Sequence, residues 1–239
     1  MNCKLMLALS VAVLCFARLS AAQTATIDQQ QAVINTQAQV VLAIGAQGQQ
    51  RLAQVVTAGR TGTLKEVALA IACAPQHQLI LEIQAVAAGK PNGTILGYYA
   101  FGNVGPYVNP PVFKTLVLQN PLHFSAGDQF AIVLSSTPVD PNSFCSTYPG
   151  PVGNPYAGGN AFVNSITDPP GQWTAITEGL GTNPVYGADL PFQTFVASDA
   201  ASLSAEVIPT LQPLALAFLV LLLVVAASYS MRRKVDRLR

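Results

Sequence analysis

One stretch limits what this chain can fold into more than any other. Positions 214 to 231 hold no charged residue, and positions 216 to 227 are almost wholly Leu, Val, Ala and Phe. Counted from Leu211, the run is about 21 residues, or roughly 31 Å as a helix, which matches a bilayer core. In lipid every backbone polar group must be paired, and a helix does this within itself. Pro213 falls in the first turn, where its missing N–H costs nothing. Tyr229 falls near the far end, where an amphipathic ring suits the interface. Arg232, Arg233, Lys234, Arg237 and Arg239 follow, against Asp236 alone. Such a basic flank stays cytoplasmic. The pattern predicts one C-terminal transmembrane helix, its end inside and everything before Leu211 outside. A buried core helix is the competing reading, and the run is too long and too uniformly apolar for it.

The other end points the same way. Positions 1–22 hold Lys4, an apolar run over 5–17 and the small-residue end Ser20-Ala21-Ala22. This is the pattern of a signal peptide cut by signal peptidase before Gln23. With both termini set aside the charge balance changes. The whole chain carries a net charge of +1, but positions 23–209 hold five basic and ten acidic residues. That leaves no basic patch for nucleic acid. Cys3 and Cys15 leave with the leader; Cys73 and Cys145 remain. An even pair in an oxidising compartment suggests one disulfide; two buried free thiols are the alternative. A closed loop of about 70 residues would contribute roughly 4 kcal/mol.

Between the termini, short apolar runs alternate with turn signals. Residues 23–38 are rich in Gln, Ala and Thr and read as a loose lead-in. Strands are expected at 39–44, 51–57, 64–73, 79–87, 95–101, 112–118, 129–135, 159–165 and 190–196. In the fourth, Leu79, Leu81 and Ile83 alternate with Ile80, Glu82 and Gln84, which is period two. Gly89-Lys90-Pro91-Asn92-Gly93 reads as the turn after it, on the strength of Asn-Gly. Residues 136–155 are rich in Pro and Gly, which argues against regular ladder pairing there. Residues 197–207 read as a polar stalk. The expected fold is all-β, an antiparallel β-sandwich or jelly roll over 39–196.

Two resemblances sharpen this. Ile208-Pro209-Thr210-Leu211, then an apolar helix, then an Arg-rich end resembles the IPTL-CTERM sorting signal of bacterial envelope proteins. The resemblance covers positions 208–239 and implies an exosortase-type processing enzyme, which would cleave near the motif and pass the protein to the cell surface. The match departs after Leu211, where Gln212-Pro213-Leu214-Ala215 stands in place of the usual Ser, acidic, aromatic and Gly residues. A plain C-terminal anchor is the alternative. The second resemblance spans roughly 41–196. It rests on Gln50-Arg51-Leu52-Ala53-Gln54, Lys90-Pro91-Asn92-Gly93-Thr94, Ser125-Ala126-Gly127-Asp128-Gln129-Phe130, Pro155-Tyr156-Ala157-Gly158-Gly159 and Asp189-Leu190-Pro191-Phe192-Gln193. In this order the series is similar to a β-sandwich module common in bacterial surface proteins. The resemblance implies no catalytic residue.

The residues themselves offer no catalytic constellation. His77 and His123 read as ordinary surface or strand-end residues. There is no Gly-x-Ser-x-Gly elbow, no His-Glu-x-x-His and no Cys-x-x-Cys, so neither a nucleophile elbow nor a zinc site has an anchor. Asp140, Asn142, Asp168 and Asp189 lie near loops without calcium-loop spacing. The expectation is a non-enzymatic protein without cofactor or metal. Its partners would be signal peptidase, the processing enzyme and the membrane. Binding of polysaccharide is the runner-up, with Trp173, Tyr156 and Tyr148 as candidate glycan contacts, since flat amphipathic rings can stack on sugar faces.

Overall fold

A computed structural model describes residues 24–38, 41–46, 49–102, 104, 111–137, 144–165, 168, 172–179 and 187–199. The leader, the sorting motif Ile208, Pro209, Thr210 and Leu211, the apolar run and the basic residues Arg232, Arg233 and Lys234 lie outside the described residues. Within them, no helix is long and apolar enough to cross a membrane.

Twelve strands run in chain order: β1 (Thr26–Gln31), β2 (Leu42–Ile44), β3 (Arg51–Thr57), β4 (Gly62–Cys73), β5 (Gln78–Ala87), β6 (Lys90–Gly102), β7 (Val112–Phe124), β8 (Gln129–Thr137), β9 (Cys145–Thr147), β10 (Ala161–Asn164), β11 (Thr174–Ala175) and β12 (Phe192–Ser198). A 3₁₀ turn at Thr36–Ala38 and one short helix, α1 (Ile176–Gly179), are the helical pieces among them. The strands form two antiparallel six-stranded sheets, a β-sandwich. The first runs β1-β12-β4-β9-β2, with β7 also paired to β4; the second runs β11-β10-β3-β8-β5-β6.

β4 is the spine of the first sheet. Along one edge β12 pairs with Gly62 through Leu69 and β9 continues with Ile71, Ala72 and Cys73, while β7 pairs along the other. Period-two alternation places Leu64, Val67, Leu69 and Ile71 of β4 inward. They meet Leu52 and Val56 of β3, Leu79, Leu81 and Ile83 of β5, and Phe130, Ile132 and Leu134 of β8 across the sandwich. Burial of each such side chain stabilises by about 1.5–3 kcal/mol. Phe124 and Phe130, at either end of the β7–β8 turn, stack with centroids 4.4 Å apart. That turn is closed by Ser125 N–H donating to Asp128 Oδ2 (2.7 Å) and by Gly127 at φ +92°.

Each stretch expected to form a strand contains one, and four other expectations are corrected. The lead-in is not loose: β1 pairs with β12, which supplies a free ladder edge from the far end of the domain. The β5–β6 turn is Ala88-Gly89, both at positive φ (+50° and +73°), the backbone of a two-residue hairpin. Asn92-Gly93 lies inside β6, where the register against β5 shifts. Gly93, at φ +85°, donates its N–H to Gln84 Oε1 (3.2 Å). The irregular segment does contribute to a ladder, because Cys145, Ser146 and Thr147 form β9 between β4 and β2. The stalk begins later than expected, since β12 takes in Ala197 and Ser198.

Candidate functional site

The second sheet is buried on both faces, which alternation alone would not require. Its outer face carries a separate apolar cluster of Ala53, Val55, Ala131, Val133, Phe162 and Trp173. The pairing registers lay these out in rows. Tyr98, Glu82, Val133, Ala53, Phe162 and Ala175 form one row across all six strands. Trp173 covers it and is only 3% exposed. Three contacts hold the ring in place. Asn164 Nδ2 donates to the carbonyl of Gln172 (2.7 Å), Lys90 Nζ donates to the carbonyl of Trp173 (3.0 Å), and the Arg51 guanidinium lies over the indole, 5.5 Å from its centroid. Lys90 reaches across from the β5–β6 turn, and its ammonium also lies 5.8 Å from the Phe162 ring.

Beside this cap sits a small charged group. Arg51 Nη2 donates to Glu82 Oε2 (2.8 Å), and Gln84 Nε2 donates to the same oxygen (2.5 Å). A half-buried Arg–carboxylate pair of this kind gains from the lowered dielectric, and a cation over an indole adds about 0.5–2 kcal/mol. The three polar groups satisfy one another and fix the Trp173 cap. Tyr98, directly opposite Glu82 on β6, is 58% exposed and is the open ring of this face.

A second polar group closes one end of the sandwich. Asp189, fully buried, accepts from Gln54 Nε2 at Oδ1 (3.2 Å) and from Tyr156 N–H at Oδ2 (3.0 Å). Gln54 Oε1 in turn accepts from Leu190 N–H (2.8 Å). With its amide nitrogen facing the carboxylate, Asn154 also donates to Asp189 Oδ2 (3.1 Å). Burial pushes the Asp189 carboxyl above the ordinary carboxylate range, and the bonds from Tyr156 and Gln54 partly offset this. Tyr156 Oη accepts from Thr57 N–H (3.0 Å), and its ring meets Phe192 edge-on at 5.0 Å. Burial raises its phenol as well. The group ties two irregular segments, on either side of β10, to β3.

The candidate glycan contacts are therefore corrected. Trp173, Tyr156 and Tyr148 are all buried. Trp173 caps a sheet, and Tyr156 serves a hydrogen-bond network; none offers an open face for stacking. His77, expected at the surface, is also buried, with Nδ1 unpartnered. His123 sits at an exposed position and contacts Asp199, 2.7 Å from Nε2 to Oδ2. Among the described residues no three His, Cys, Asp or Glu side chains gather to hold a metal ion.

The cysteines expected to pair do meet. Cys73 of β4 and Cys145 of β9 stand directly opposite each other, Cα atoms 3.9 Å apart, and are joined as a disulfide. The residues that organise both polar groups, Arg51, Gln54 and Glu82, escaped notice in the sequence. Their signal was there: each is a polar residue within or at the end of an otherwise apolar strand. A shallow cleft of about 400 Å³ lies elsewhere, lined by Val33, Ile34, Asn35, Thr36, Gln37, Pro151 and Val152; it brings together no titratable side chain. Chemically, both polar groups act as fasteners, with donors matched to acceptors and no nucleophile beside a base. No protein-family model matches the chain, and no curated protein matches it in sequence.

Proposed function

We propose that this chain is an exported, non-enzymatic envelope protein. In this reading signal peptidase removes positions 1–22, and the transmembrane helix beginning at Leu211 holds Ile208-Pro209-Thr210-Leu211 at the outer face for an exosortase-type processing enzyme. The sandwich then serves a structural or adhesive role at the cell surface. The observation that carries the proposal is the cross-strand disulfide. Cys73 and Cys145 are 72 residues apart in sequence, yet they are bonded between adjacent strands. Structural disulfides persist in oxidising compartments and are rare in the cytosol. The finer architecture, a jelly roll, belongs with the proposal. Its support is the repeated crossing of the chain between the two sheets, from β3 to β4, β4 to β5, β6 to β7, β7 to β8 and β8 to β9. Polysaccharide binding is not carried forward, because the three rings chosen for it are buried.

Intact-mass measurement of the envelope-associated protein tests the proposal. The expected species begins at Gln23, ends near the Ile208–Leu211 motif and is two hydrogens lighter than its reduced form. Persistence of the chain through Arg239 would reduce the sorting signal to a plain anchor. Recovery of the protein in the cytoplasmic fraction with Cys73 and Cys145 reduced would overturn export itself.

A further inference from the structure

A sheet edge exposes a row of unpaired N–H and C=O groups, and proteins normally blunt such edges with charge, proline, bulges or brevity. The edges of this sandwich can be compared on that basis. β1 carries Asp28 and a register shift beside it. β2 is three residues long and β11 two. β7 carries Lys114 and Pro121 and shifts register midway. β6 differs from them. It is thirteen residues long and holds no charged side chain after Lys90. Among the described residues it pairs with β5 alone. Its register shifts are confined to the half before Gly97. From Gly97 to Gly102 it runs unbroken against β5, with the sequence Gly-Tyr-Tyr-Ala-Phe-Gly. Ile95, Leu96 and Tyr98 are exposed along it. An uncharged, aromatic, proline-free six-residue edge is a template for pairing.

We propose that the β6 edge pairs antiparallel with the β6 edge of a second copy of this chain, joining two six-stranded sheets into one. The charge pattern selects a second copy as the occupant. An antiparallel strand meeting itself about a two-fold axis brings like side chains together, and β6 beyond Lys90 has no charge to repel its own image. A two-fold normal to the sheet keeps outer face beside outer face, so even-numbered positions meet even-numbered ones. The exposed Tyr98 rings then face one another near the seam, where aromatic cross-strand pairs contribute about 0.2–1 kcal/mol. The other described edges are short, charged or shifted in register, so the pairing closes at a dimer. The inference stands on the edge and is independent of where the chain resides.

The test uses the full chain in mild detergent and a short bismaleimide crosslinker, with the unsubstituted chain beside each variant. Tyr98→Cys and Ala100→Cys are expected to yield covalent dimer, and Val117→Cys, exposed on β7, none above the unsubstituted chain. In the Tyr98→Cys background, Ala100→Lys and Ala100→Glu should each lower the dimer band roughly fivefold or more, the effect of about 1 kcal/mol. Mixing the Lys and Glu chains should restore it, which also shows that both are folded. Equal crosslinking at Val117→Cys, a yield indifferent to both charges, or no recovery on mixing would each overturn the pairing.

Discussion

The Asp189 carboxylate gives the sharpest measure of how the polar interior holds this sandwich together. Asp189→Asn preserves shape and changes only hydrogen-bond polarity. In the native site both oxygens accept, Oδ1 from Gln54 and Oδ2 from Tyr156. An asparagine, whichever way it turns, must aim an NH₂ at one of these donors. One buried bond is lost and a donor faces a donor, which costs about 1–3 kcal/mol. The pH dependence adds a second signature. The folded carboxyl titrates above its unfolded counterpart because burial disfavours its charge. Between the two values the native state holds a proton that the unfolded state has released. Stability from this group is therefore fully present below the unfolded carboxylate value and falls as pH rises through the folded one. Asparagine does not titrate, so its deficit relative to the natural chain should be largest in acid and narrow as pH rises. Urea unfolding followed by fluorescence reads both effects, since Trp173 is the single tryptophan and is buried. A substituted chain as stable as the natural one, or a deficit that widens with pH, would refute the reasoning.

Two further outcomes are expected. Replacing Cys73 and Cys145 together by Ala releases a loop spanning a sequence separation of 72, and should lower unfolding stability by about 4 kcal/mol in urea; an unchanged midpoint would mean the bond constrains little. Trp173→Ala uncovers Val55, Val133 and Phe162 and removes the surface under Arg51. It should cost about 3–5 kcal/mol by circular dichroism melting, with no change in retention on polysaccharide columns.

The candidate site was only partly legible. The Cys73–Cys145 pair followed from counting, because two cysteines in a plausibly oxidising setting have one possible partner each. The rings did not follow. An aromatic residue in a Pro/Gly-rich segment looks available for binding, but whether it points out or folds back depends on what the neighbouring sheet leaves uncovered. Ala53, Val55, Ala131 and Val133 leave an apolar outer face, and water expels it beneath the nearest large ring, Trp173. Gln54 and Glu82 became fasteners for a related reason. A polar side chain set among apolar ones must be paired, and its partner, Asp189 or Arg51, lies far away in sequence.

By itself the sequence determined where the strands lie. Alternation at period two and the clusters of turn residues act over a few residues, so β3, β5 and β8 stand where Leu, Ile, Val and Phe alternate with smaller or polar groups. It also determined that the chain has charge-poor, apolar ends unlike the acidic segment between them. Tertiary structure decided what no local pattern encodes. β1 becomes a strand because β12, about 165 residues later, leaves an edge open to it. Cys145 joins a ladder because β4 runs on past the end of β12 and needs a partner there. The β5–β6 turn settles on Ala88-Gly89 instead of Asn92-Gly93, because pairing Ala87 with Lys90 carries the ladder four residues further. In each case the deciding term is the pairing of backbone groups between distant segments, and that exists only once the chain has folded.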